Sequence, residues 1–381
     1  MKQPTRYNYI ICGAGCAGLS LAYYLSQTDL KGKNILLLDK DRKDKSDRTW
    51  CYWEKGNSHF DKIVQTQWNE LLFATPAFQK KMNISPYAYK KIRGLDFYKF
   101  ILNHLSKYSH IHFKNELVHE ISEDTNGALV KTQQRIYESD QVFVSYQESI
   151  DFSSNHHVLQ HFKGWEIKTN DPVFESKVAT FMDFRTDQNG ETRFLYVLPT
   201  SAQSALVELA VFSNKIWSQE DYDNVIEAYI KNTLEIRDYK VSEKEFGIIP
   251  MSTYPFEKAN TKHIKYIGTA GGWVKASSGF AFERIQRLSK TLAEALVNGE
   301  NIDLVLKSVN NRYRFYDRIF LNVILTGKKS GADVFTSLFK SLPPTLVFKF
   351  LDEETSFLED MRLFTGPPTW PFIKGFFSEL V

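Results

Sequence analysis

The sequence predicts an α/β protein: a Rossmann-type nucleotide-binding domain, an inserted antiparallel β-sheet domain and a helical C-terminal segment. Three observations carry this. Gly13-Ala14-Gly15-Cys16-Ala17-Gly18 lies between an apolar strand and a helical run, the context a dinucleotide fold requires. A second glycine-rich strand-to-helix turn, Gly268 to Phe280, stands far along the chain. Short strand-like runs separated by turn residues lie between the two, and beyond Leu304 helical patterns dominate.

Tyr7 to Cys12 reads as the first strand and Leu19 to Leu25 as the helix after the turn. Gly13 permits the tight turn, Gly15 lets backbone approach a pyrophosphate, and Gly18 lets helix and strand pack closely, with the helix N-terminus aimed at the phosphates. The strand Asn34 to Leu38 ends at Asp39, whose carboxylate can accept hydrogen bonds from a ribose diol about 20 residues after the glycines. A short loop then leads to Arg48, Thr49, Trp50, Tyr52 and Trp53, on the way to the ring end of the ligand. Arg93 precedes a helix from Asp96 to Leu105 and either meets a phosphate or is a solvated surface arginine. Strands at Ile111–Val118, Ala128–Thr132 and Gln141–Ser145 complete this part. Leu159 to Phe212 reads as three or four antiparallel strands, with Asn170, Asp171, Asn189 and Gly190 at the turns. A helix follows from Glu220 to Leu234, and Phe246 to Pro250 is expected to return the chain to the first domain.

The strand His263 to Ile267 then enters the second turn, with Gly268, Gly271, Gly272 and Gly279, before a helix from Ala281 to Val297. A ligand contacted from both ends of the sequence is what FAD proteins of the hydroxylase type bind, so FAD is the expected cofactor. The expected division is a discontinuous FAD-binding domain at 1–150 and 246–303, a substrate-binding sheet domain at 151–245 and a helical segment at 304–381 broken at Pro343-Pro344 and Gly366-Pro367-Pro368.

A net charge of +3 gives no electrostatic case for nucleic acid. The three cysteines, Cys12, Cys16 and Cys51, have no CxxC or metal-ligand spacing, which fits a reducing cytoplasm and no metal. No apolar run approaches the roughly 18 residues that span a bilayer, and the first strand begins without a charged leader and cleavage site, so no signal peptide is expected. His110/His112 and His156/His157 read as strand residues.

Glu208 is the candidate for chemistry. It ends the run Leu198-Pro199-Thr200-Ser201-Ala202-Gln203-Ser204-Ala205-Leu206-Val207 and is followed by Leu209-Ala210-Val211. An acid among apolar neighbours is costly unless paired or neutral; desolvation raises its pKa and keeps a proton on it at pH 7, the condition for donating it. The alternative is an edge-strand glutamate facing water. Trp50, Tyr52 and Trp53, with Trp273 and Phe280 of the second turn, are the aromatic faces that could enclose a cationic substrate; core packing explains them equally well. Aromatic content is 14%, with 29 Phe. The segment from Phe335 to Phe377 interleaves phenylalanines with Lys340, Lys349 and Lys374, and either caps a greasy tunnel at a headgroup interface or forms an ordinary helical core with snorkelling lysines.

With both glycine turns and Asp47-Arg48-Thr49-Trp50-Cys51-Tyr52-Trp53-Glu54 in view, the chain resembles the bacterial lycopene β-cyclase family over nearly its whole length. Further matching blocks are Ile92 to Tyr98, Leu159 to Ile167, Met182 to Arg185, Phe194 to Glu208, Ile249 to Phe256, Gly268 to Phe280 and Phe350 to Asp360. The resemblance implies a flavin-dependent, non-redox isomerase that closes β rings on the acyclic ends of lycopene or a related carotenoid. It implies reduced FAD as the active form and NAD(P)H as its reductant; the C-terminal aromatic segment adds the expectation of a cytoplasmic protein held peripherally at the inner face of the cell membrane. It places the family's essential glutamate at Glu208. Ala276-Ser277-Ser278-Gly279-Phe280 stands where members usually carry Pro-Ser-Thr-Gly-Tyr, and Leu209-Ala210-Val211 replaces a more polar run; the first bears on the flavin-side loop, the second on ring type and substrate. Phe350-Leu351-Asp352-Glu353-Glu354-Thr355 imitates the Phe-Leu-Glu-Glu-Thr of plant cyclases, but after two prolines Asp352 to Glu354 are expected to be exposed charges at a helix start. Two rivals remain: a redox flavoprotein, monooxygenase or polyprenyl reductase, on the same scaffold, and a silent apolar-ligand carrier that retains FAD.

Overall fold

The structure, a computed structural model, describes residues 4–30, 32–146, 157–307, 311–327, 329–364 and 366. Its first sheet is built from runs that are apolar without alternation, because its central strands are covered on both faces. Ile111–Asn115, Ile35–Asp39, Thr5–Cys12 and Ile136–Val144 lie side by side and parallel, and Ile264–Tyr266 joins parallel to Ile136–Val144. Ala128–Thr132 and Val118–Glu123 extend the sheet as an antiparallel hairpin. Helices Cys16–Ser26, Gly94–Leu105 and Phe282–Asn298 pack on one face against Ile11, Ile35, Leu37 and Phe143. The other face buries Tyr7, Ile10, Cys12, Leu36 and Leu38 with Val130 and Tyr137.

The second sheet has the order Tyr239–Ser252, His157–Thr169, Ser204–Phe212, Thr192–Ser201, Val178–Asp183, Glu70–Thr75, Phe78–Asn83. The expected antiparallel strands between Leu159 and Phe212 are present as four. The sheet is larger than that, however. A hairpin from residues 70–83 adds its far edge, pairing parallel to Val178–Asp183. Phe246 to Pro250 does not yet return to the first sheet: it belongs to a strand of 14 residues that pairs along His157–Thr169 as far as Ser252. This strand lies at the sheet edge, with Val241, Phe246 and Ile248 exposed, so its alternation is weak in sequence. The chain crosses to the first sheet only afterwards, through a 3-10 turn at Phe256–Ala259.

The tryptophan-rich block is itself a strand, Thr49–Lys55, paired antiparallel with Tyr87–Arg93, which also carries Thr66–Trp68. The C-terminal helices are Ile302–Lys307, Asn311–Leu325, Gly331–Ser341, Pro344–Leu351 and Phe357–Phe364. Pro343 and Pro344 stand at a helix start, as proline at the first helical position prefers. The break at Pro367-Pro368, residues Trp370 to Phe377 of the aromatic segment and His156 lie outside the described residues.

Ser204–Phe212 is buried on both faces. Ala205, Val207, Leu209 and Val211 pack under the helix Gln219–Asn232, and Leu206, Ala210 and Phe212 pack toward the C-terminal helices. Glu208 belongs to this second face.

Candidate active site

The three glycines of the first turn divide the work. Gly13 has φ +96, and a Cβ there would stand 2.5 Å from Ser145 Oγ; one on Gly18 would stand 1.9 Å from the Gly13 carbonyl oxygen. Both are demanded by the turn itself. A Cβ on Gly15 would meet nothing within 4 Å, because Gly15 faces a cavity. It caps the helix Cys16–Ser26 with extended backbone and no side-chain hydrogen bond, so the first amides of that helix remain open to an anion. Asp39 ends its strand as expected. Its carboxylate accepts from the amides of Ala14 (2.6 Å) and Asp41 (2.8 Å) and lies 3.1 Å from Lys43 Nζ, tying strand end and turn together.

The second turn closes on the same cavity. A Cβ on Gly268 would come within 2.6 Å of Ala17 Cβ, so the two turns touch at that point. Gly271 backs onto the Tyr266 carbonyl and Gly272, with φ +72, onto Phe256. Gly279, also left-handed at φ +75, packs directly on the Gln160 side chain. The cavity wall includes Gly15, Gln160, Glu208, Ser278 and Gly279. Gln160 Oε1 and Ser278 Oγ are buried there without a protein hydrogen-bond partner. An open helix N-terminus at one end and orphaned polar atoms at the other are what a dinucleotide with a hydrogen-bonding ring requires, so the residues present fit FAD.

The aromatic and basic candidates separate. Trp50 and Phe280 line this cavity, and Arg48 stands on its wall with its side chain half exposed and paired to Asp47. Tyr52 and Trp53 instead line a second cavity beyond Phe280–Phe282. Tyr52 stacks on Phe282 at 4.4 Å, and Trp53 stacks on Phe348 at 4.8 Å while its Nε1 donates to Asp352 at 2.7 Å. Trp273 lines neither and is packed in the helix-side core at 1% exposure. Arg93 is away from the main cavity. It precedes the helix Gly94–Leu105, with Nε 3.7 Å from Asp96, and borders a small crevice beside Glu245.

Glu208 is half-buried on the wall of the main cavity, in register with Gly164 on one side and Tyr196 on the other. Burial pushes its carboxyl well above the ordinary range, and the neighbouring Glu245 adds to this while Lys91 opposes it. Sequence reading missed the groups around it. Tyr89, Lys91, Gly164 and Glu245 come from three different strands and no motif joins them; buried lysine in Tyr87–Arg93, where Lys90 and Lys91 are almost fully buried, was the available signal.

Asp352 to Glu354 do not start a helix, and of the three Glu354 alone is exposed. The helix ends at Leu351 with Asp352 as its C-cap, and Glu353 turns inward at φ +64. Its carboxylate sits 2.7 Å from Arg284 and 3.2 Å from Lys275, with its side chain only 7% exposed. Burial works against its ionisation, yet Lys275 and Arg284 hold it below the usual carboxylate range. Fixed by two cations, Glu353 has no proton to give. Asp352, raised to about 7 by burial against the Trp53 hydrogen bond, and Glu283, raised to about 8 by burial and by Glu54, face the second cavity.

A parallel sheet with two glycine turns closing on one cavity, walled by an inserted antiparallel sheet, defines an FAD-binding flavoprotein fold of the oxidoreductase and halogenase type. Solved structures of that fold match nearly the whole chain. A geranylgeranyl bacteriochlorophyll reductase-like protein from Thermoplasma acidophilum has a TM-score of 0.69 at 11% identity, covering 99% of this chain and 100% of its own. A variant of the halogenase PltM in complex with FAD has a TM-score of 0.65 at 13% identity, covering 98% and 86%. The chain belongs to the lycopene cyclase family, whose profile, "Lycopene cyclase protein", matches residues 8–375. Among curated proteins it is similar to the chloroplastic neoxanthin synthases of Solanum tuberosum and Solanum lycopersicum, 24% identical over 318 and 322 residues and covering 77% and 78% of this chain. The chain spans about three fifths of those relatives, 61% and 62%.

Proposed function

We propose that this chain is a lycopene β-cyclase, converting acyclic carotenoid ends to β rings, lycopene to γ-carotene to β-carotene. The observation that carries the reading is the Glu208 carboxyl, raised well above its ordinary range by burial, on the wall of the cavity that the two glycine turns rim. Glu208 donates its proton to the terminal double bond of the polyene. The tertiary cation so formed is attacked by the neighbouring alkene, which closes the ring, and loss of a ring proton to the Glu208 carboxylate leaves the β end and restores the acid. Atoms and electrons balance, since substrate and product are isomers. Trp50, Phe162, Tyr196 and Phe280, all on the cavity wall, offer ring faces to the cation and exclude the water that would quench it. Reduced FAD, when bound, supplies an electron-rich ring beside the developing positive charge.

NAD(P)H is then needed only to bring the flavin to its reduced form. With lycopene in detergent or vesicles, the expected result is cyclised product in large molar excess over NAD(P)H consumed. Consumption equal to product would establish the monooxygenase or reductase reading instead, and recovery of unchanged carotenoid under reducing conditions would establish the carrier.

The same reading places the protein at a bilayer, where such a substrate dissolves. No helix among the described residues is long and apolar enough to cross a membrane. The helix Phe357–Phe364 exposes Phe357 (61%), Leu358 (81%) and Met361 (50%), a face suited to lying in the headgroup region of the inner leaflet on the cytoplasmic side. The protein is expected to co-sediment with vesicles of mixed zwitterionic and anionic lipid, and Leu358→Asp to lower the bound fraction several-fold. Binding by the variant equal to the wild type would remove this helix from the interface.

A further inference from the structure

Glu208 does not stand alone. Three residues on three neighbouring strands are in direct register across the second sheet: Glu208 on Ser204–Phe212, Gly164 on His157–Thr169 and Glu245 on Tyr239–Ser252. The two glutamates are two strand spacings apart along the backbone, about 10 Å, yet their side chains meet over the glycine. A Cβ on Gly164 would stand 3.2 Å from Glu208 Oε2, 3.2 Å from Glu245 Cγ and 2.9 Å from Leu206 Cδ1. The space a side chain at 164 would fill is taken by the two acids. Each acid acts on the other's ionisation at this contact, and the Glu245 charge works to raise Glu208. Glu245 Oε1 is buried without a hydrogen-bond partner.

We propose that Glu245 is the positioning residue for the catalytic acid, sharing one proton with Glu208 over Gly164 and keeping that proton available at neutral pH. The inference rests on the cyclase reading of Glu208. Two buried carboxylates in contact cannot both ionise, so the pair retains a proton. Burial raises Glu245 as it raises Glu208. The other groups facing the pair do not replace that proton. Lys91 from Tyr87–Arg93 acts on both carboxyls, and it is already ion-paired with Glu166 on His157–Thr169; Arg93 and Lys244, on the crevice beside Glu245, are paired with Asp96 and Asp223; Tyr89, Tyr196 and Cys51 are buried and held neutral. Glu245 lies off the main cavity wall. It therefore acts through Glu208, orienting the acid's second oxygen while the first faces substrate.

The sign of the effect follows. Activity requires protonated Glu208 and is lost as pH rises through its folded pKa. The Glu245 charge raises that pKa, so removing the charge moves the alkaline limb of the pH profile to lower pH. In FAD-loaded Glu245→Gln, the ratio of activity on the alkaline limb to activity at the acidic optimum is expected to fall about tenfold against wild type. Gly164→Ala, which leaves both carboxyls in place but wedges them apart, is expected to move the limb the same way. A loss that is equal at every pH in both variants would reduce Glu245 to a structural part and overturn the proposal. If Glu245→Gln fails to retain flavin, Gly164→Ala decides. An infrared titration of the protonated carboxyl band reads the pair without turnover: in wild type it persists to higher pH than in Glu245→Gln, and an identical titration refutes the pairing. Should wild type make no cyclic product, the cyclase reading falls while that titration still judges the carboxyl pair.

Discussion

Glu208→Gln is expected to lower cyclisation at least about 10²-fold to 10⁴-fold, the range for loss of a general acid, with FAD still bound. Glutamine keeps the shape and the hydrogen bonds but has no proton to transfer. The linkage sign separates this loss from unfolding. A carboxyl whose folded pKa is raised favours the folded state below its unfolded pKa and costs stability as pH rises from there to the folded pKa. Removing the Glu208 carboxyl at neutral pH is therefore neutral or stabilising, read as an equal or higher midpoint in urea. Glu353→Gln provides the contrast. Its folded pKa is depressed, so it contributes stability above the unfolded pKa that is lost as pH falls through the folded one. Breaking such a buried pair costs about 3 kcal/mol, softened here because Lys275 retains Asp317 at 2.8 Å. The midpoint falls while folded enzyme keeps its acid. Product formation that survives Glu208→Gln and vanishes in correctly folded Glu353→Gln would move the acid to the second cavity.

Gly15→Val is expected to abolish FAD binding, leaving a folded protein without flavin absorbance. The backbone of Gly15, at φ −80 and ψ −164, is open to any residue, and a Cβ there touches no protein atom within 4 Å. Valine is thus accepted by the fold. Its methyl groups occupy the space over the helix N-terminus where a pyrophosphate must approach the backbone. Gly18→Val lacks this selectivity, since its Cβ would overlap the Gly13 carbonyl and the turn itself would fail. A Gly15→Val protein that binds flavin normally would remove the cofactor from this turn.

The glycine turns were legible because their demands are local. A Cβ at Gly18 would strike the Gly13 carbonyl within the same turn, and one at Gly13 the Ser145 side chain just past the adjoining strand, and Asp39 answers the turn through the amide of Ala14. The continuous apolar run around Glu208 likewise announced a strand buried on both faces. It did not show which face was which. Alternate residues enter two different cores, and only the side helix Gln219–Asn232 decides that Glu208 turns away from it and toward the cavity.

Elsewhere local propensity misled. Two prolines before Asp352 read as the start of a helix, but they begin an earlier helix that ends at Leu351, and the left-handed Glu353 is drawn in by Lys275 and Arg284 from a segment some 70 residues away in sequence. Trp50, Tyr52, Trp53 and Trp273 share one composition and three fates: one lines the main cavity, two line a second, and one is core. All four are large aromatics, so the difference lies in what packs opposite.

Read alone, the chain discloses the nucleotide turn, the second glycine-rich turn, the order of the blocks that mark the family, and the acid in an apolar strand, because each is a property of neighbouring residues. The tertiary structure alone decided that Glu208 meets Glu245 over Gly164. That contact depends on the register of three strands, and register is set by pairing across the sheet, which no local stretch of chain encodes.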